Sequence, residues 1–359
     1  MKLSTGIQVL FWILCIVACI LLLRQKERQV LVVKGHEGFA DRLQVLSHAI
    51  HYCLQNESDI CVDWRDSHWG QEETDFEDYF EIIDVPLVSL EEVVRRAKRG
   101  ATIYPPAWTP KLLAAIPSPD IHKDELNAEI DDAYTRKEGD IVVFHGLGVR
   151  TWHLSNLTRN IRLHPKILGT VRGRLENMEL PCTVVHLRGT DRLKEKTVGE
   201  SLGLAVAEYE SQARIDHIRT YVITDMKEMF ELWAYMYPHT KMVYQTRPIG
   251  SMSKTEHGTH MMSKEELAKF ALTKHELNVN AITDFFILSF ASKTVGNCSE
   301  SLFTNLAKFV KQSGTDKLAV WFHGWMPNTV PLNPNLLVKT HFSDREKLLE
   351  RLGNRTSAV

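Results

Sequence analysis

Short apolar runs alternate with helical repeats along most of the chain. Gln29 to Val33 (QVLVV) leads into Lys34-Gly35-His36-Glu37-Gly38-Phe39-Ala40-Asp41-Arg42, after which Leu43, Leu46, Ile50 and Leu54 recur at helical spacing. That pattern predicts strand, glycine-containing turn, helix. Asp59 to Trp64 reads as a second strand, and Gly139 to Phe144 (GDIVVF) as another that ends in His145-Gly146. Between them lie an exposed acidic and aromatic stretch from Glu72 to Phe80, a short amphipathic helix from Leu90 to Lys98, and a surface loop with five prolines from Pro105 to Pro119. Pro165 to Leu175 is a helix with proline in its first turn.

The second half repeats the alternation more cleanly. Strands are expected at Thr183 to Leu187, Thr220 to Ile223, Lys241 to Tyr244 and Lys293 to Val295, with a last one at Leu318 to Phe322. Helices are expected at Gly199 to Gln212, Lys227 to Tyr235, Val279 to Ala291 and Ser301 to Lys311, and a polar loop at Met252 to His260. Strand–helix alternation in both halves predicts an α/β protein with two Rossmann-like units and parallel sheets. The division falls between Asn156 and Pro165, giving units 30–160 and 161–330, with residues 1–29 before them and 331–359 as a tail.

The chemistry collects at strand ends. Val184 to Arg192 (VVHLRGTDR) is an apolar run closing in polar residues, the form of a buried parallel strand that delivers charge to its carboxyl end. In open α/β sheets that rim is where ligands bind. Arg188 supplies a planar, permanently charged fork suited to phosphate. The same segment also fits an edge salt bridge between Arg188 and Asp191. Two further strand ends carry Thr224-Asp225 and Asn297-Cys298-Ser299-Glu300-Ser301. The last precedes a helix, so its amides and hydroxyls form either an anion site or a simple N-cap. Asp225 is placed to accept hydrogen bonds from a ribose or a base.

Composition narrows the partners. With 25% charged and 44% hydrophobic residues in 359, the chain is an ordinary globular protein. A net charge of −2 and no basic run argue against nucleic acid. Ile7 to Leu23 is seventeen residues without a charge, flanked by Lys2 and by Arg24, Lys26 and Arg28, and reads as an uncleaved single-pass membrane anchor. Its orientation stays open. The basic cluster after the anchor favours a cytoplasmic body. Four N-x-Ser/Thr sequons, at Asn56, Asn156, Asn297 and Asn354, favour the ER or Golgi lumen. Outside the anchor, Cys53 and Cys61 either close a short loop or, like Cys182 and Cys298, are buried thiols.

These strand ends resemble the superfamily of NodZ-type, α1,6- and protein O-fucosyltransferases. The similarity rests on His186-x-Arg188 with Thr190-Asp191-Arg192, on Thr224-Asp225, and on Asp284 in the segment that runs TDFFILSFASKTVGNCSESLFTNLA. Arg192 stands where the α1,6 enzymes have lysine. Glu37-Gly38-Phe39 is similar to the Glu-Gly-Phe of one protein O-fucosyltransferase group, whose glutamate is the catalytic base. The resemblance implies a GT-B fold with two domains facing a cleft, GDP-fucose as donor, inversion at the anomeric carbon and no metal. It also implies Arg188 on the β-phosphate, with Ser299, Glu300 and Ser301 closing on the pyrophosphate. Asp225 and Asp284 would contact guanine or ribose, with Gly38, Phe39, His186 and Thr224 completing the donor site.

An arginine plus a helix N-terminus can stabilise a diphosphate leaving group without a divalent ion, and the chain contains no D-x-D triplet. For the acceptor's proton the candidates are Glu37, then Asp191. The acceptor, a glycan or glycoprotein, is left to the loops at Trp64 to Phe80 and Tyr104 to Pro119. Rival classes fare worse. Gly35-x-x-Gly38 is too short for a dinucleotide fingerprint, and no G-x-S-x-G elbow accompanies His145-Gly146. A catalytically inactive, membrane-anchored sugar-nucleotide or glycan-binding protein stays as the alternative.

Overall fold

The computed structural model describes residues 27–35, 38–66, 68–71, 74–113, 136–144, 153–189, 197–212, 219–244, 259–297 and 301–329. The segment Ile7 to Leu23, the tail 331–359 and most of the loop expected at 252–260 lie outside them. Among the described residues no helix is long and apolar enough to cross a membrane.

The elements run β1 (Val30–Lys34), α1 (Phe39–Asn56), β2 (Asp59–Asp63), β3 (Phe80–Ile82), α2 (Leu90–Lys98), β4 (Ile103–Tyr104), α3 (Thr109–Leu113), β5 (Ile141–Phe144), β6 (Ile161–Leu163) and α4 (Pro165–Leu175). They continue as β7 (Thr183–Leu187), α5 (Val198–Gln212), β8 (Thr220–Thr224), α6 (Lys227–Met236), α7 (Lys264–Ala268), α8 (Lys274–Phe290), β9 (Lys293–Gly296), α9 (Leu302–Gln312) and α10 (Thr315–Trp321). One sheet has the order β2-β1-β5-β4 and another β8-β7-β9. Every pairing in these two is parallel. The fold is thus α/β with two Rossmann-like parallel sheets. A third, antiparallel pair joins β3 to β6 in the register Phe80↔Leu163.

Burial explains why these runs are strands. All five residues of β1 and of β2 are buried, as helix-covered parallel sheets require. In both sheets the chain leaves the central strand to one side and returns on the other: from β1 to β2 and then β5, and from β7 to β8 and then β9. Such reversals open a crevice at the carboxyl ends of the strands. At the end of β9 the backbone of Gly296, at φ +153°, passes so close to β7 that an added Cβ would stand 1.9 Å from the His186 carbonyl oxygen. Only glycine closes the sheet there.

Several local expectations are corrected. Leu318 to Phe322 is not a strand. Leu318 to Trp321 belong to α10 with Phe322 as its C-cap, and Leu318 and Trp321 share one buried face, Trp321 packing edge-on to Phe80 and Phe286. The strand expected at Lys241 to Tyr244 reduces to one parallel bridge between Tyr221 and Lys241, after which Val243 turns into the core and Tyr244 reaches Asp284. The stretch from Glu72 to Phe80 is not exposed at its aromatic residues. Phe76, Tyr79 and Phe80 are buried against Trp64 and Trp69. Of the expected proline loop, residues 106–113 form a 3-10 turn and α3, with Trp108 buried under the Lys34 ammonium. α8 starts five residues earlier than its apolar run, because Thr273 and Glu276 cap each other reciprocally. Cys53, Cys61 and Cys182 are all free, buried thiols, so no short loop is closed between the first two.

One apolar core extends from Leu31 and Leu43 through Phe39 and Trp69 to Phe285, Phe286 and Trp321, and it is shared by both sheets. Within it the first half buries charge. Arg42 and Asp66 form a two-pronged pair at 2.6 and 2.7 Å with both side chains almost fully enclosed. The pair leaves no room at Gly35, where a Cβ would meet the Arg42 guanidinium at 1.8 Å. Asp66→Asn removes the charge that Arg42 needs and is expected to cost about 3–5 kcal/mol. Urea denaturation measures this, and a loss well below about 1 kcal/mol would show that the guanidinium finds another partner.

Candidate functional site

A cavity of about 380 Å³ lies where the carboxyl ends of both sheets meet. From the first half it is lined by Gly38, Phe39, Ala40, Asp41 and Trp69, and from the second by His186, Arg188, Thr224, Asp225, His260, Asn278, Asp284, Ser301 and Phe303, among others. Eight residues singled out from sequence therefore share one cavity: Gly38, Phe39, His186, Arg188, Thr224, Asp225, Asp284 and Ser301. The other four, Glu37, Asp191, Ser299 and Glu300, lie outside the described residues.

Two helix N-termini converge on this space. α1 begins after Gly38 and α9 after Ser301; neither N-cap residue makes a side-chain cap hydrogen bond, and the first turn of α1 carries the acid Asp41. Helix starts with uncapped amides carry partial positive charge and favour an anion. Arg188 stands just beyond β7, the central strand of its sheet, and adds a full positive charge to the same walls.

The backbone around Arg188 is held from two sides. Its N–H donates to Asn297 Oδ1 at 2.9 Å, and its carbonyl accepts from Asn297 Nδ2 at 2.8 Å. One side-chain amide thus continues the β7–β9 pairing a residue past the last strand partner, His186↔Gly296. Gly189 N–H then donates to Asp225 Oδ1 at 2.7 Å. Asp225 therefore has one carboxylate oxygen committed to the loop after β7. Sequence reasoning placed Asn297 in the polar group at this strand end and in a sequon, but gave it no part in holding Arg188. The available signal was its place directly after a strand that pairs with the arginine strand.

His186 is a neutral ring at neutral pH. Its Nδ1 lies 3.0 Å from the Thr304 hydroxyl and its ring packs near Phe303. Burial, assisted by the Arg188 charge, pushes its pKa down to about 3. The neutral ring therefore contributes stability above the usual histidine value and loses it as pH falls toward 3. Phe39 is chiefly a core residue. It stacks on Trp69 and Phe80 at 5.4 and 5.8 Å and meets Phe285 edge-on at 5.5 Å.

Asp284 behaves differently from Asp225. Burial raises its carboxyl to about 7, against the Tyr244 hydrogen bond and the Arg174 charge and with the help of Asp225. The Tyr244 hydroxyl donates to its Oδ1 at 2.7 Å. At the first-half end, Lys274 donates to the His260 carbonyl oxygen at 2.6 Å, and burial with the nearby Arg42 charge lowers its pKa to about 7. Among the described residues no group of three or more His, Cys, Asp or Glu is arranged to hold a metal ion.

Two parallel Rossmann-like sheets with facing carboxyl ends and a cavity between them define the GT-B class. Fucosyltransferase NodZ from Bradyrhizobium is similar at a TM-score of 0.56 and 19% identity, covering 79% of this chain and 93% of that one. NodZ α-1,6-fucosyltransferase soaked with GDP-fucose is similar at 0.55 and 18%, over 79% and 92%. The same enzyme co-crystallized with GDP gives 0.54 and 18% over the same shares. No family model and no curated protein matches the sequence. The chain has the GT-B-like fold of these fucosyltransferases.

Two outcomes check the site's physics. Because Asp284 holds its proton more tightly folded than unfolded, its contribution to stability is full below the ordinary aspartate value and is lost as pH rises through about 7. Asp284→Asn should therefore stabilise the fold by about 2–3 kcal/mol more at pH 8 than at pH 5. Equal effects at both pH values, read by urea denaturation, would remove the argument. Asn297→Ala leaves both backbone groups of Arg188 without this partner and should cost about 1–3 kcal/mol. Hydrogen exchange at the Arg188 amide should accelerate more than at the β7 interior.

Proposed function

We propose that this protein is an inverting, metal-independent glycosyltransferase that moves fucose from GDP-fucose to a glycan or glycoprotein acceptor. The observation that carries the reading is Arg188, fixed by Asn297 at the end of the central strand and sharing one cavity with two uncapped helix starts. That is an arrangement for a diphosphate. The nucleotide complexes of the similarly folded NodZ enzymes supply the choice of GDP-fucose over other sugar nucleotides.

In the proposed reaction the acceptor hydroxyl attacks the anomeric carbon as the bond to the β-phosphate oxygen breaks. Arg188, the amides at the start of α9, the Ser299 and Ser301 hydroxyls and the backbone N–H of Glu300 take up the charge developing on GDP. Asp225 and Asp284, with Thr224, hold the nucleoside, and His186 orients the arginine strand. The acceptor's proton passes to Glu37, with Asp191 as the second candidate. Residues 30–160 form the acceptor side and 161–330 the donor side. Ile7 to Leu23 anchors the body at a membrane, facing the ER or Golgi lumen. Two sequons lend no weight to that orientation, since the amides of Asn156 and Asn297 are committed to the Ser47 and Arg188 carbonyls.

A donor screen tests the proposal: hydrolysis and transfer are followed with GDP-fucose, GDP-mannose and UDP-sugars. GDP-fucose should be preferred, and activity should survive EDTA. A strict need for Mn²⁺ or Mg²⁺ counts against the mechanism. Arg188→Ala and Arg188→Lys should each lower turnover by about 10²–10³-fold, and near-normal turnover by either sinks the assignment. Binding of GDP without transfer to any acceptor would favour a sugar-nucleotide-binding protein instead.

A further inference from the structure

The Asp284 carboxyl at the cavity wall is held by two residues that do not line the cavity. The Tyr244 hydroxyl sits 2.7 Å from Asp284 Oδ1 and 3.0 Å from the Asn280 carbonyl oxygen, so its one proton is shared between them. The Arg174 guanidinium lies 4.7 Å from the centre of the Tyr244 ring. Arg174 is itself fixed, donating to Asn280 Oδ1 at 2.7 Å and lying 3.5 Å from the Thr283 hydroxyl. The order is guanidinium, phenol, carboxyl, from the outside of α8 to the cavity. A cation over the ring draws density from the phenol and makes its O–H a stronger donor. The effect is to favour the ionised carboxyl at a place where burial opposes it.

The charged surroundings define what this does. Behind Asp284 stand Tyr244 and Arg174. Beside it Asp225, from the end of β8, repels a second negative charge. Arg188, His186, His260 and Asp41 belong to the remaining walls. An ionised carboxyl accepts two hydrogen bonds from adjacent N–H groups. Among nucleobases guanine presents such a pair on its Watson–Crick edge, at N1 and the 2-amino group. Adenine presents an acceptor at N1, which a carboxylate repels and a protonated carboxyl does not.

We propose that Arg174 and Tyr244 are positioning residues that present Asp284 as a carboxylate to the edge of a guanine, and thereby set the choice of base. This inference rests on the nucleotide-sugar reading above and adds the device that makes the reading selective. Selectivity for guanine over adenine then depends on pH. It is weak where the carboxyl carries a proton and strong where it does not, with the change centred near neutrality because Asp284 titrates at about 7.

The test is calorimetric binding of GDP and ADP between pH 6 and 8.5. Both ligands carry the same diphosphate, so the ratio of their affinities isolates the base. In the parent protein the GDP-to-ADP ratio should rise about tenfold from pH 6 to pH 8. Tyr244→Phe and Arg174→Met should move the midpoint upward by roughly one unit and lower the ratio at pH 7 by about 3–10-fold. Arg174→Lys, which keeps the charge, should restore part of it, an outcome that a merely structural role would not give. Asp284→Asn should make the ratio flat with pH while His260 is still present, which assigns the titration to Asp284. GDP bound with an unmoved midpoint in both Tyr244→Phe and Arg174→Met overturns this inference alone. Failure of the parent to bind GDP at any pH overturns the functional reading and this inference with it.

Discussion

The packing of one ring, Phe39, fixes the geometry on which the cavity depends. It is the first residue of α1, and it touches Trp69 and Phe80 of its own half together with Phe285 on α8 and Phe303 in the first turn of α9. Aromatic contacts of this kind are stiff and directional. Because the ring sits in the first turn of one helix and meets the first turn of another, it sets the spacing of two positive helix ends across the crevice. A hydrophobic contact thus decides an electrostatic property. The cavity begins where this shared core stops, and its polar lining is what the strand ends contribute beyond it.

The alternation of strands and helices was legible because parallel sheets must be buried on both faces, which leaves runs such as VLVV and TVVHL with no other use. β7 and α4 begin and end where the pattern places them. The misreadings share one cause, tertiary packing that overrides local character. Phe76, Tyr79 and Phe80 sit among acids and look like a surface stretch until Trp64 and Trp69 cover them. Leu318 to Phe322 has a strand's composition, yet Leu318 and Trp321 lie one helical turn apart and both have partners on that side. In the site, polar residues at strand ends announced themselves, Asn297 among them though not its hold on Arg188, whereas Tyr244 and Arg174 did not. Their importance lies in what they hold, and a side chain that supports another from behind has no sequence signature of its own.

Charge is handled differently in the two halves. In the first, Lys34 with Asp63 and Arg42 with Asp66 are buried as matched pairs, at 2.5 and 2.6 Å. Lys34 holds the Asp63 carboxyl below the usual range against its burial. Such pairs add little net stability over an apolar core but penalise any arrangement that separates them. They fix the approach of β1, β2 and the start of α1, and so the floor from which Gly38 and Asp41 reach the cavity. In the second half two carboxylates face the cavity, Asp225 accepting from the Gly189 amide and Asp284 from the Tyr244 hydroxyl.

That difference has a consequence for how a ligand is recognised. A matched pair is insensitive to pH near neutrality, because each charge stabilises the other. A carboxyl such as Asp284, opposed by burial and by Asp225 and supported by one phenol, is balanced between its two forms. Balance of this kind is costly to the empty fold and useful only if something entering the cavity tips it. Two adjacent N–H donors would do so, satisfying the carboxylate and removing the reason for the proton to stay. Arg174 and Tyr244 bring the starting point close enough to neutrality for a base edge to complete the change. Burial alone would leave the carboxyl protonated and unable to tell a donor from an acceptor.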